Sequence, residues 1–160
     1  MDDTSINLAL RQHQEGDAEL GHFFAALHKF IDRTKPKFFD GKLPPLAMRL
    51  EKIRGNRVGE YTPSDGYRLP HSVTVDPTKV DDGEEAAEVL AHEMAHAFED
   101  VLGILTPNSH KRHSNEFLDA MAEMGIDTVP GTGRHIGYTD RTWVDWLKEN
   151  ADLNLDKAML

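Results

Sequence analysis

His92-Glu93-Met94-Ala95-His96 constrains this chain more than any other five residues in it. On a helix, positions i and i+4 stand one turn apart on the same face, so the two imidazoles can reach a single ion. The surrounding residues support a helix over Glu84 to Leu102. Asp81-Asp82-Gly83 supplies start signals, Gly103 a stop, and Ala87, Leu90, Met94, Ala97 and Val101 recur at helical spacing. On the helical wheel His92 and His96 fall opposite that stripe, beside Glu85, Glu88 and Glu99. They are therefore expected to face a cleft rather than the core.

The H-E-x-x-H pattern combines two metal-ligating histidines with a glutamate about 100° away around the helix. There Glu93 can serve as general base toward a metal-activated water. A catalytic zinc takes three protein ligands and keeps one open position. The chain has no cysteine, which excludes disulfides, thiolate ligands and a cysteine nucleophile, so the third ligand must be His, Asp or Glu. His110, His113, Glu116 and His135 are the downstream candidates. His110 is expected in a solvated loop, and spacing alone leaves His113 and Glu116 both open.

The rest of the sequence reads as a single α+β domain of 160 residues. Leu20, Phe23, Phe24, Leu27, Phe30 and Ile31 predict an amphipathic helix over about 17–33, with Pro36 beyond its end. Asp40-Gly41-Lys42-Leu43-Pro44-Pro45 reads as a turn. Short strands are expected at Leu46–Ile53, Val58–Thr62 and Ser72–Val75, and their close spacing suggests a small antiparallel meander. A further helix is predicted near Ser114–Met124, with Gly125 as terminator. Thr128–Gly137, rich in Gly and Pro, reads as an irregular solvent-facing loop, and Trp143, Trp146 and Leu147 as a short tail helix. The expected core spans about 17–125, with loop and tail over 126–160. No apolar run approaches the ~20 residues of a membrane span. The acidic, polar start Met1-Asp2-Asp3-Thr4-Ser5 is unlike a signal peptide, so the expected compartment is cytoplasmic.

Charge is unevenly placed. The formal net charge is −10, which argues against strong unaided binding to nucleic acid. Yet Lys29 to Arg57 holds nine Lys/Arg against three acids, whereas Asp81 to Asp100 holds eight acids and no Lys or Arg. Lys35, Lys37, Lys42, Arg49, Lys52, Arg54 and Arg57 form the one stretch suited to phosphate contact.

The chain resembles the SprT-like (Spartan-type) zinc metalloproteases. The resemblance rests on Phe38-Phe39-Asp40-Gly41-Lys42-Leu43-Pro44-Pro45, Arg57-Val58-Gly59, His92-Glu93-Met94-Ala95-His96-Ala97 and His113-Ser114-Asn115-Glu116-Phe117, in that order. It implies a zincin-like fold and a zinc endopeptidase with His92, His96 and His113 as ligands and Glu93 as catalytic base. Glu116 then becomes a carboxylate favoured at a helix start. It further implies work on DNA-associated proteins, such as repair of DNA–protein crosslinks. Many members carry a four-cysteine zinc ribbon for nucleic-acid contact, which this cysteine-free chain cannot form.

Tyr61, Tyr67, Arg134, His135 and Tyr138 are candidates to stabilise an oxyanion, with His135 and Tyr138 best placed by sequence. Two other readings stand beside the peptidase. One is a zinc-stabilised module that binds protein or nucleic acid without catalysis, and the other a zinc hydrolase of a non-peptide amide.

Overall fold

The computed structural model describes residues 18–34, 38–44, 46–67, 71–106, 108–109, 112–130 and 132–158. Helix α1 (Ala18–Thr34) buries Phe23, Leu27, Phe30 and Ile31 along one stripe, and the Thr34 hydroxyl closes its last turn by donating to the Phe30 carbonyl at 2.7 Å. A 3₁₀ turn (Phe38–Gly41) follows. Gly41 takes φ 67°, and the Lys42 N–H reaches the Phe39 carbonyl at 2.9 Å. Phe39 itself has φ 54°, unusual for a bulky residue. Burial against Phe98 and a bond from its N–H to the Glu123 carboxylate hold it there.

Three strands, β1 (Leu46–Leu50), β2 (Gly59–Thr62) and β3 (His71–Val75), form a sheet in the order β1-β3-β2. β2 runs antiparallel to β3, as short spacing suggests, but β1 runs parallel to it, with Leu46 opposite His71 and Leu50 opposite Val75. The expected antiparallel meander is thus a mixed sheet with β3 at its centre. The cause lies in residues 51–58, which pass around the end of β3 instead of turning back along β1. Glu51 N–H bonds to the Val75 carbonyl and Asp76 N–H to the Val58 carbonyl, one on each side of β3.

The crossing is pinned by two side chains from beyond β3. Asp76 accepts from the Ile53 N–H at 2.9 Å. Lys79 Nζ donates to the carbonyls of Ile53, Gly55 and Arg57 at 2.6, 2.7 and 3.0 Å. Its ammonium also lies 3.4 Å from the Asp76 carboxylate. The Thr78 hydroxyl, the Ile53 N–H and the Lys79 ammonium hold the Asp76 carboxyl well below the usual carboxylate range.

Helix α2 (Gly83–Val101) is capped by Asp82, which accepts from the Glu85 N–H, while Glu85 accepts from the Asp81 N–H. It is the central element, packed against the sheet, helix α3 (Asn115–Glu123) and helix α4 (Thr142–Ala158). Ala86, Ala87, Leu90, Ala91, Met94, Ala95 and Ala97 are fully buried, and the small alanines let neighbours approach closely. The amphipathic expectation holds for Ala87, Leu90, Met94 and Ala97 but not throughout. Glu93, His96 and Glu99 are also buried, whereas Val101, assigned to the core stripe, is 38% exposed. Neighbouring elements enclose Glu93, His96 and Glu99, whereas Glu84, Glu85, Glu88 and His92 on the same helix stay partly exposed.

Residues 128–137 are more ordered than a glycine-rich loop suggests. β4 (Ile126–Thr128) and β5 (His135–Tyr138) form an antiparallel hairpin with a register irregularity at Asp127/Thr128. Its tip is closed by Val129 N–H to Arg134 O and Gly133 N–H to Val129 O. The tail helix α4 is 17 residues long rather than short. Trp143, Val144 and Leu147 are buried, and Phe30 stacks on both Trp143 and Trp146 with centroids 5.5 and 4.9 Å away. The core therefore extends through Leu147 and does not stop near Gly125. Among the described residues, no helix is long and apolar enough to cross a membrane.

Removing the ammonium with Lys79→Met leaves three carbonyls without their donor and should cost about 1–3 kcal/mol, read from urea unfolding at pH 7. Asp76 has a depressed folded pKa, so its contribution is present above the ordinary carboxylate range and is lost as pH falls below it. Asp76→Asn should therefore flatten the acid limb of stability against pH, and an unchanged limb would remove Asp76 from that role.

Candidate metal centre

α2 supplies His92 and His96 one turn apart. The segment entering α3 supplies His113, directly before the helix cap Ser114, whose hydroxyl accepts from the Phe117 N–H at 3.0 Å. The ligand-capable atoms of the three histidines all lie within 4.8 Å of one another. Their ring centroids are 4.9 Å (His92–His96), 5.0 Å (His92–His113) and 5.3 Å (His96–His113) apart. The buried Phe117 ring touches all three, at 4.8, 4.8 and 4.4 Å from His92, His96 and His113. Nitrogens 2.0–2.1 Å from a tetrahedral ion stand about 3.3 Å apart, so small side-chain rotations would complete coordination. The three residues can hold one metal ion, and imidazole donors suit zinc, copper, iron and nickel.

Of the two candidates that spacing leaves open, the structure brings His113 to the histidine pair. Glu116 is exposed on the first turn of α3, away from the cluster. His110 lies outside the described residues, as do Lys35 and Lys37. His135 stands beside the cluster, its ring 6.0 Å from that of His92.

Glu99 is the residue that sequence reasoning missed. Helical spacing puts it on the polar face, but it is 1% exposed, and its two oxygens bond to both halves of the centre. Oε1 lies 2.6 Å from His96 Nδ1, and Oε2 accepts from the Ser114 hydroxyl at 2.7 Å. A carboxylate at Nδ1 fixes the tautomer with its proton there and leaves the Nε2 lone pair for an ion. The same carboxylate, through Ser114, fixes the start of α3 and with it His113. The i, i+3 spacing from His96 to Glu99 was the available signal.

Glu93 is 5% exposed and lies under β2. The strand passes so closely that a Cβ on Gly59 would sit 2.4 Å from Val89 Cγ1 and 3.2 Å from Glu93 Cγ. Only glycine fits there. Burial raises the Glu93 carboxyl to about 7, partly offset by His96, Arg57 and the Tyr61 N–H. Its Oε2 is buried without a hydrogen-bond partner among the described residues. A second close approach lies across the site, where a Cβ on Gly133 (φ 68°) would stand 3.0 Å from the His113 ring. The β4–β5 hairpin thus packs directly on that histidine.

The candidate oxyanion groups separate cleanly. Tyr67 is 84% exposed and Arg134 is exposed. The Tyr61 hydroxyl is committed elsewhere, 2.7 Å from both Asp100 Oδ2 and His71 Nδ1. His135 does approach the centre, and Tyr138 shares with it the carboxylate of Glu88 on α2. Compared with protein-family models, curated proteins and solved structures, the chain matches none.

If Glu99 orients His96 and anchors the His113 segment, Glu99→Ala should weaken metal binding by about 10–100-fold in competition with a chelator. Glu116→Ala should leave it unchanged. The reverse pattern would return the third position to Glu116.

Proposed function

We propose that this protein is a zinc-dependent endopeptidase of the SprT-like type, with His92, His96 and His113 as ligands and Glu93 as general base. The observation that carries the reading is Glu93 itself. A site that merely stabilises a fold needs ligands only, yet here a carboxylate is buried beside them with an oxygen unpartnered, at an energetic cost a structural site has no reason to bear. Zinc, when bound, would polarise a substrate carbonyl and acidify a water molecule.

The chain's own residues do the rest. Glu93 accepts the water's proton and delivers it to the departing amine nitrogen. Its burial-raised affinity for a proton, near neutrality, suits a group that must both take and return one. His96 and His113 are buried and His92 half-buried, so substrate approaches over His92. β2 then flanks Glu93, and the β4–β5 hairpin flanks His92 and His113.

DNA-associated proteins are the substrate class we propose on the strength of the family resemblance. Lys52, Arg54 and Arg57 are exposed on the connection between β1 and β2, whose last residues lead into the strand over Glu93. Arg57 pairs with Glu60 at 3.3 Å, which leaves Lys52 and Arg54 as the stronger phosphate contacts. Against a net charge of −10, any such affinity is expected to be weak.

Glu93→Gln should retain zinc, by metal analysis, while hydrolysis of a denatured protein falls by ~10²–10⁴-fold. Equal turnover in the two proteins would remove Glu93 from the mechanism and the peptidase with it. In a titration with single- and double-stranded DNA, binding should appear at low salt and weaken steeply as salt rises. Reversal of Lys52, Arg54 and Arg57 to Glu should abolish it and spare hydrolysis of free protein. Salt-insensitive binding, or none at low salt, would reject this face.

A further inference from the structure

His135 is built into the centre's wall with more support than a passing surface residue needs. Its Nδ1 lies 3.2 Å from Glu88 Oε2, and the Tyr138 hydroxyl donates to the other oxygen of the same carboxylate. Arg141 lies over the Tyr138 ring, 4.5 Å from its centroid, and is itself bonded to Glu84 and Asp145. Residues from α2, β5 and α4 thus converge to hold one imidazole in place. A carboxylate can only accept, so Nδ1 is the donor to Glu88, and in the neutral ring that tautomer leaves the lone pair on Nε2. That Nε2 is buried and has no hydrogen-bond partner among the described residues.

The arrangement repeats that of His96 and Glu99, where a carboxylate also claims Nδ1 and leaves Nε2 for a ligand. The positions differ, however. His96 belongs to the three-histidine cluster, whereas His135 stands outside it, one ring further from His92. It is too far out to share the ion as placed, and near enough to touch whatever lies over His92. An unprotonated imidazole nitrogen there accepts hydrogen bonds. A peptide chain crossing the centre offers one suitable donor at each residue, its backbone N–H.

We infer that His135 is a substrate-binding residue of this centre, its Nε2 accepting a backbone N–H of the bound peptide beside the metal ligands, with Glu88 and Tyr138 as the residues that position it. This rests on the peptidase reading and adds to it a requirement for an amide N–H at one position of the substrate. An ester in place of that amide keeps the carbonyl and the chain direction but offers no donor.

The test uses zinc-loaded Glu93→Gln protein, which should bind substrate without turning it over. A peptide whose cleavage site has been mapped with the wild type is compared with versions carrying one ester at each of the three bonds around that site. With His135 present, one ester should weaken binding by about 5–50-fold, the range for an unsatisfied buried acceptor. In the Glu93→Gln/His135→Ala protein the all-amide peptide should bind more weakly by a similar factor, and the same ester should cost nothing further. Zinc content should be equal in the two. Glu88→Gln should reproduce part of the loss, since it weakens the hold on Nδ1 and keeps the packing.

Equal ester penalties with and without His135 would overturn the inference, as would loss of zinc in His135→Ala, which would make the residue a fourth ligand. Failure of the underlying reading looks different. Hydrolysis by the wild type that is insensitive to Glu93→Gln defeats the peptidase, whereas hydrolysis that depends on Glu93 with an unchanged ester pattern defeats only this role of His135.

Discussion

Glu99 holds the centre at the point where its two halves meet. One carboxylate oxygen fixes the tautomer of His96 on α2, and the other accepts a hydrogen bond from the hydroxyl of Ser114, which in turn caps α3. The histidines on α2 and the histidine before α3 are thereby registered to each other through a single buried group. Without it, two helices could pack through Phe117 and Met121 at several small offsets, each compatible with hydrophobic burial. Apolar contacts are non-directional, and only a hydrogen-bonded polar group distinguishes placements differing by an ångström. Coordination needs that precision.

The second constraint acts from the sheet side. Glu93 occupies its place because β2 crosses it at a glycine, and β2 lies there because the segment before it wraps around the end of β3. Lys79 gathers three carbonyls of that wrap and Asp76 its Ile53 amide, so an ammonium and a carboxylate beyond β3 help to determine how β2 covers Glu93. The parallel pairing of β1 with β3 is a by-product of the same wrap.

Much of this was legible in the sequence, where local chemistry decides the outcome. The three helices bearing apolar periodicity, the glycine terminators and the His92–Glu93–His96 turn depend on spacing within one element. What was not legible depends on residues far apart in the chain. The sheet order follows from Lys79 reaching back to Ile53, and the β4–β5 hairpin from bonds across a tip that reads locally as breakers. The polar face of α2 was misread for a related reason. Periodicity reports which side of a helix is apolar, but it cannot report that a second layer covers the other side. Glu99 was visible as an i+3 neighbour of His96, and its role required knowing that Ser114 arrives from fifteen residues further on.

The electrostatics of α2 would couple any ion held by the three histidines to the packing of the helix. Glu93 and Glu99 are both buried, and the groups that touch them are histidines, a hydroxyl and backbone amides. Arg57, exposed on the β1–β2 connection, offsets the burial of Glu93 only in part, and no Lys or Arg lies between Asp81 and Asp100 on the helix itself. Buried carboxylates without a cation are costly, and Glu93 responds by holding its proton to about 7. A divalent ion among His92, His96 and His113 would supply positive charge close to His96, the residue that both carboxylates feel. Its binding energy is then partly spent on keeping those groups ionised and in position, so occupancy of the site and order of the surrounding helices rise and fall together. The local density of acid in an otherwise ordinary sequence is, on this view, matched to an ion rather than to a basic partner.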